Sequence, residues 1–201
     1  MIGTLVKDFK NVAGQLVYYA AILVAFFILG IATGNVYFYA GLTIFCGVAA
    51  PLSAVSYDEK DHWDAFALAS GVTRRGLVFA RYLLGLCVFL PVWGISFLFL
   101  AVPHMGTEQN LLAALTFGGF GLMVFDILLP LVFRIGVEKS RAVYILVILA
   151  VVLLSVGGAS LVELAGGDPA RIAAAAAAAL GVAGVPASAA VSCRVYAKKD
   201  F

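Results

Sequence analysis

Residues 16–55, LVYYAAILVAFFILGIATGNVYFYAGLTIFCGVAAPLSAV, carry no charged side chain. The stretch divides at TGNVY into two apolar runs, 16–33 and 36–55. Wound as helices, both are long enough to cross ~30 Å of hydrocarbon. The link is so short that the two must form a helical hairpin. Four runs of the same kind follow, at 82–102, 111–133, 142–162 and 172–191. Pro91, Pro130 and Pro186 fall inside the third, fourth and sixth runs and are expected to kink them. A membrane bundle tolerates such kinks where neighbours satisfy the freed carbonyls.

Composition agrees with this reading. The 201 residues are 64% hydrophobic and 12% charged, against roughly 25% charged in ordinary globular chains. Mean hydropathy is +1.08. A soluble domain is excluded. The fold class is an all-α membrane protein with six transmembrane helices in one domain, residues 1–201. The first 16 residues lack the order of a secretory leader, so none is expected.

The 13 Lys and Arg residues orient the bundle. Lys7 and Lys10 precede the first run; Lys60, Arg74, Arg75 and Arg81 lie between the second and third. Arg134, Lys139 and Arg141 lie between the fourth and fifth, and Arg194, Lys198 and Lys199 follow the sixth. Only Arg171 falls in a loop of the other parity. The positive-inside rule then places both termini and the even-numbered loops in the cytoplasm, leaving short outer loops.

Residues 1–15 carry Ile2, Leu5, Val6, Phe9, Val12 and Ala13 at helical spacing, with Lys7, Asp8, Lys10, Asn11 and Gln15 opposite. This predicts an amphipathic helix lying in the cytoplasmic interface before the chain turns into the first span. The alanine-rich segment 171–190 and the glycines of GIATG (Gly30, Gly34) permit close backbone approach between membrane helices. Cys46, Cys87 and Cys193 are far apart with no metal-ligand or disulfide spacing, and are expected to be buried packing residues.

Catalytic signatures are missing. No phosphate-cradling glycine loop ends in lysine, so this chain is not expected to bind or hydrolyse ATP alone. No serine elbow or zinc-protease motif appears, and His62 and His104 are isolated and expected to be solvated. No catalytic, metal or nucleic-acid site is expected. Asp126, in MVFDILLPLVF, is the one acidic residue well inside a run. Intramembrane carboxylates are costly and mark translocation-path candidates, although bonding to a neighbouring Ser or Thr is an equal alternative.

The remaining anomaly is residues 56–82, SYDEKDHWDAFALASGVTRRGLVFARY. They hold eight of the chain's 24 charges: Asp58, Glu59, Lys60, Asp61, Asp64, Arg74, Arg75 and Arg81. Asp58 suits the N-cap of a short helix whose first turn carries Glu59 and Asp61. Trp63, Phe66 and Ala67 share a face of that helix. Ser70-Gly71 supplies a stop, and Thr73 a fresh N-cap for a helix carrying Arg74, Arg75 and Arg81 into the third span at headgroup level. The aromatic pair fits a docking knob for a partner protein. It fits equally an interfacial lipid anchor.

The same loop resembles that of small ABC type-2 exporter permeases, in which Y-D-E, an aromatic helix, a break and T/S-R lead into a span. LPLVFRIGVEKSRAVYILV (129–147) is similar to a second element of that family, and the terminal YAKKDF (196–201) also resembles it. Gly71 departs from the pattern, where proline is frequent, and Asp126 matches no part of it. The resemblance implies a permease that dimerises and pairs with a separate ABC ATPase, which would hold the ATP and Mg. Residues 56–76 would be the coupling loop seated on that ATPase, with Tyr57, Asp58, Glu59, Asp61, Trp63, Phe66, Arg74 and Arg75 as its coupling residues. Relatives include exporters of phenol-soluble modulins. The expected function is therefore ATP-driven export, across a bacterial cytoplasmic membrane, of an amphipathic or lipophilic cargo such as a small peptide or drug. A secondary transporter, or a non-transporting immunity or scaffold protein, is the alternative.

Overall fold

In the computed structural model of the protein, which describes residues 2–164 and 168–199, the long helices follow the apolar runs. They are α1 (Ile2–Thr33), α2 (Tyr37–Lys60), α4 (Arg74–Leu98), α5 (Glu108–Ile135), α6 (Val137–Leu164) and α7 (Pro169–Ala197). The short α3 (Trp63–Ala69) lies between α2 and α4, and a 3-10 turn (Phe99–Ala101) extends α4. No strand occurs among the described residues.

Local chemistry sets the boundaries. At the first hairpin Gly34 takes φ +67°, a left-handed conformation that glycine adopts without steric cost, and Asn35 accepts a hydrogen bond from the Tyr37 amide at 2.8 Å. Thr107 caps α5 by accepting from the Asn110 amide. Asp168 caps α7 by accepting from the Ala170 and Arg171 amides, with Pro169 in the first turn, where its missing N–H costs nothing.

Among the described residues, five helices are long and apolar enough to cross a membrane: Gly3–Thr33, Tyr37–Lys60, Arg74–Ala101, Glu108–Ile135 and Pro169–Ala197. The expected fifth span coincides with α6 in backbone, but from Val151 onward most of its side chains lie outside the described residues. The outer-loop residues 165–167 and the last two residues of YAKKDF lie outside them as well.

Two expectations need correction here. No turn separates residues 1–15 from the first span, because residues 2–33 form one unbroken helix. At 1.5 Å per residue that helix is roughly 48 Å long, so its first turns stand beyond the hydrocarbon. Those turns also pack on their own chain. Leu5, Phe9, Val12 and Leu16 meet Ala50, Ala54, Leu84 and Val88 of α2 and α4. Secondly, Cys87 is exposed on the outside of α4, and only Cys193 is partly buried; the side chain of Cys46 lies outside the described residues.

Helix α5 is the hub, in contact with α2, α6 and most extensively α7. Small residues make that closeness possible. A methyl group on Gly119 would lie 2.3 Å from the Ala177 carbonyl carbon, and one on Gly181 would lie 2.7 Å from the Gly119 oxygen. The alanine-rich segment therefore packs within the chain, against α5. Around this contact Val55, Leu77, Tyr82, Phe125, Leu129, Val132 and Tyr196 fill the core. The flanks of α1 and α6 instead expose Tyr18, Val24, Ile28, Ile145 and Leu149, a surface suited to hydrocarbon.

The two ends of the bundle differ. One gathers the start of α1, the end of α2, α3, the start of α4, the α5–α6 turn and the end of α7. The other carries the Gly34 turn and the exposed pair Arg171–Glu108 at 2.7 Å. The basic segments that sequence parity groups together thus share one end, called here the charged end.

Candidate functional site

The charged loop of residues 56–76 is organised by ion pairs that its own sequence does not contain. Helix α2 runs on through Asp58 and Glu59 to Lys60, so Asp58 does not cap α3 as expected. Asp58 is instead buried beside Arg81 of α4, which it shares with Asp8 of α1. Lys7 reaches Asp58 too and lies 3.1 Å from Asp8. Arg81 and both carboxylates are 2% exposed or less. Two cations thus neutralise two anions, as burial of charge demands. The cluster bolts α1, α2 and α4 together at one level.

Above this cluster sits α3. His62 enters it with φ +51° and supplies no side-chain cap. Ser70 and Gly71 (φ +86°) end it, and Thr73 caps α4 by accepting from the Gly76 amide at 3.1 Å, as the sequence predicts. Ala67 points inward and is buried. Trp63 is half-buried, with the Lys7 ammonium 4.4 Å from its ring centre and the Phe66 ring 5.2 Å away. Phe66 is 61% exposed. The aromatic pair is thus divided: Trp63 belongs to the seat of α3, and Phe66 projects from it.

The other expected coupling residues divide likewise. Glu59 accepts from the Val137 amide at 3.0 Å, supplying the first turn of α6 with a capping carboxylate across the α5–α6 turn. Gly136 makes room for it, since a methyl there would lie 3.2 Å from the Glu59 carboxylate. Arg74 donates to the Ala197 carbonyl at 2.5 Å, closing the end of α7. Tyr57 is exposed and accepts from Gln15 at 3.0 Å, while Asp61 and Arg75 are exposed. Asp58, Glu59, Trp63 and Arg74 therefore hold the loop, and Tyr57, Asp61, Phe66 and Arg75 form its outer surface. The three stretches carrying the family resemblance meet here, joined by Glu59–Val137 and Arg74–Ala197.

Asp126 belongs to a second, separate arrangement. Pro130 has no N–H to donate, so the Asp126 carbonyl four residues earlier loses its helical partner. Ser188 of α7 replaces it, donating at 2.5 Å. With its proton committed, Ser188 must accept from Tyr82 of α4 at 2.6 Å, and Tyr82 in turn accepts from Ser192 at 2.8 Å. A hydroxyl chain thereby joins α4, α5 and α7. The Asp126 carboxylate is buried, and neither of its oxygens has a hydrogen-bond partner among the described residues. It presses on Gly184, where a methyl group would lie 2.2 Å from Oδ2. Tyr82 directly follows Arg81, so adjacent residues of α4 serve the ion cluster and the hydroxyl chain.

Sequence reading missed the roles of Asp8, Lys7, Arg81, Tyr82, Ser188 and Ser192. A signal was present for one pair. Asp8 needs a partner, and Arg81 stands alone at the mouth of an apolar run. Among the described residues no three His, Cys, Asp or Glu side chains converge as metal ligands would.

A family model described as an ABC-2 family transporter protein matches residues 3–197. Comparison with curated proteins returns no match, and comparison with solved structures returns none.

Proposed function

This chain belongs to the ABC-2 family of transporter proteins, and on that premise we propose that it couples ATP turnover by a partner to export of an amphipathic cargo. It is an integral membrane permease subunit of an ABC transporter, and its family implies a separate ABC ATPase as partner. The proposal adds that the charged end is cytoplasmic, that all six long helices span a bacterial cytoplasmic membrane, and that two copies form the path.

In this reading α3 is the coupling helix. ATP and Mg, held by the ATPase pair, close that pair against the surface of Tyr57, Asp61, Phe66 and Arg75. The displacement enters the bundle through the loop's own fastenings. Asp58 passes it to α1 and α4 through Arg81, Glu59 passes it to α6, and Arg74 passes it to α7. One push on a seven-residue helix therefore reaches four long helices besides α2, which leads into α3. Those fastenings, converging on a loop that leaves Phe66 bare, are the observation that carries the proposal.

Asp126 lies farther along, at the junction of α5 and α7, with a buried carboxylate awaiting a partner. We place it on the translocation path, where it meets a cargo or a gating group. Short outer loops and apolar flanks suit a membrane-embedded amphipathic peptide, of the phenol-soluble-modulin kind, or a lipophilic drug. Membrane lipid surrounds the bundle.

The test is reconstitution of the permease with its ATPase in sealed vesicles, loaded with a fluorescent amphipathic peptide. The proposal expects peptide movement that requires ATP, the ATPase and the permease together. Movement without the ATPase, driven by an ion gradient, contradicts it.

A further inference from the structure

The charged end holds a second feature that neither the ATPase nor the cargo requires. Between the ends of α5 and α7 lies an open cleft of about 390 Å³, lined by Phe133, Arg134, Val195, Lys198 and Lys199. That volume falls within the range of small-ligand sites. Its lining is two-sided: half-buried Val195 of α7 and the edge of the core residue Phe133 of α5 form the apolar side, whereas the three cations stand at the ends of the two helices. We propose that this cleft seats the phosphate headgroup of an anionic lipid.

Helix C-termini ordinarily repel anions, because their last carbonyls point outward with partial negative charge. Here that objection is met by Arg74, which donates to the Tyr196 and Ala197 carbonyls and brings a fourth cation to the end of α7. Two acids at this end have partners of their own. Glu59 accepts from the Val137 amide, and Asp64 is hydrogen-bonded to Tyr196. The ligand class follows from the two-sided lining. A free phosphate ester would use the cations but leave the half-buried Val195 idle, whereas a phospholipid brings a charged group and an apolar body in the required order. Basic clusters beside membrane helices attract anionic headgroups for this reason.

Native mass spectrometry of the purified full chain, titrated with phosphatidylglycerol and with phosphatidylcholine, tests the site. Arg134→Gln/Lys198→Gln removes two exposed cations from the cleft. Lys10→Gln/Lys60→Gln removes two exposed cations from the same end outside it. Headgroup attraction of the usual strength amounts to about fivefold per residue, so the cleft variant should bind phosphatidylglycerol about 25-fold more weakly. The control pair should change it less than threefold, and neither should alter phosphatidylcholine. Equal losses in both variants would mean general surface attraction and overturn the proposal. Millimolar glycerol phosphate should not displace the lipid; full displacement would make free phosphate the ligand and likewise overturn it. A cleft variant that keeps its lipid and instead loses its ATPase would reassign the cleft to that partner. A charge-keeping Arg134→Lys/Lys198→Arg variant should retain binding, which separates loss of charge from misfolding.

Discussion

Arg81 is the residue whose removal the structure makes most costly. Arg81→Met keeps the apolar stem but deletes the guanidinium that faces both Asp8 and Asp58. Lys7, whose side chain is 21% exposed, is then left to balance two buried carboxylates alone. Removing one partner from a buried ion pair typically costs about 3–5 kcal/mol, since the surviving charge stays desolvated. For a chain of this size each kcal/mol lowers the melting temperature by about 2–4 °C, so the midpoint should fall by roughly 6–20 °C. Fluorescence-detected size-exclusion chromatography after a heat step reads this directly in detergent. The triple variant Arg81→Met/Asp8→Asn/Asp58→Asn removes all three deeply buried charges, leaving only the partly exposed Lys7, and should recover most of the loss, because the penalty lies in the buried unbalanced carboxylates. A single variant melting within 2 °C of the parent, or a triple variant no better than the single, would refute the reasoning.

Other outcomes follow from the same geometry. In a background with the native cysteines replaced, Lys60→Cys should label only from the cytoplasmic side and Glu108→Cys only from outside; the reverse pattern would invert the bundle. Asp126→Asn keeps the side-chain shape and removes the charge, so transport should drop at least tenfold with expression unchanged. Full transport would reduce Asp126 to a packing residue. Gly119→Ala puts a methyl group 2.3 Å from the Ala177 carbonyl carbon and should cost about 1–3 kcal/mol as α5 and α7 are forced apart. Thermal stability equal to the parent's would show that the contact can yield.

What the sequence disclosed, and what it hid, depends on the range of the interaction. The TGNVY turn, Gly71 and Thr73 were readable because a turn or cap is decided by neighbours a few residues away, although Gly34 was read as a packing glycine rather than as the turn's left-handed residue. The spans were readable because hydrocarbon imposes a length and a polarity on each. Asp58 was misread because an acid inside a charged run looks solvated, and the same run suggested a helix start where α2 in fact continues. Its true partners, Lys7 and Arg81, lie on other helices, and no local pattern encodes such a meeting. Asp8 was placed on a solvent face because the apolar positions around it outnumber the polar ones, yet α2 and α4 supply a charged lining for it. Ser188 and Ser192 passed as small residues of an alanine-rich helix. Only the carbonyl freed by Pro130 gives them a task.

The central claim is that α3 passes the motion of an ATPase into the bundle through an exposed aromatic knob. Phe66→Ala tests it with the least collateral change, since Phe66 is exposed and its loss leaves the ion cluster and Ala67 in place. Truncating a buried interface aromatic costs ~2 kcal/mol or more, about a thirtyfold loss of affinity. The measurement is capture of the ATPase by purified Phe66→Ala permease, with cargo-stimulated ATP turnover read on the same preparation. The account predicts that both fall together while the permease keeps its melting temperature. Undiminished capture with full cargo-stimulated turnover would contradict it.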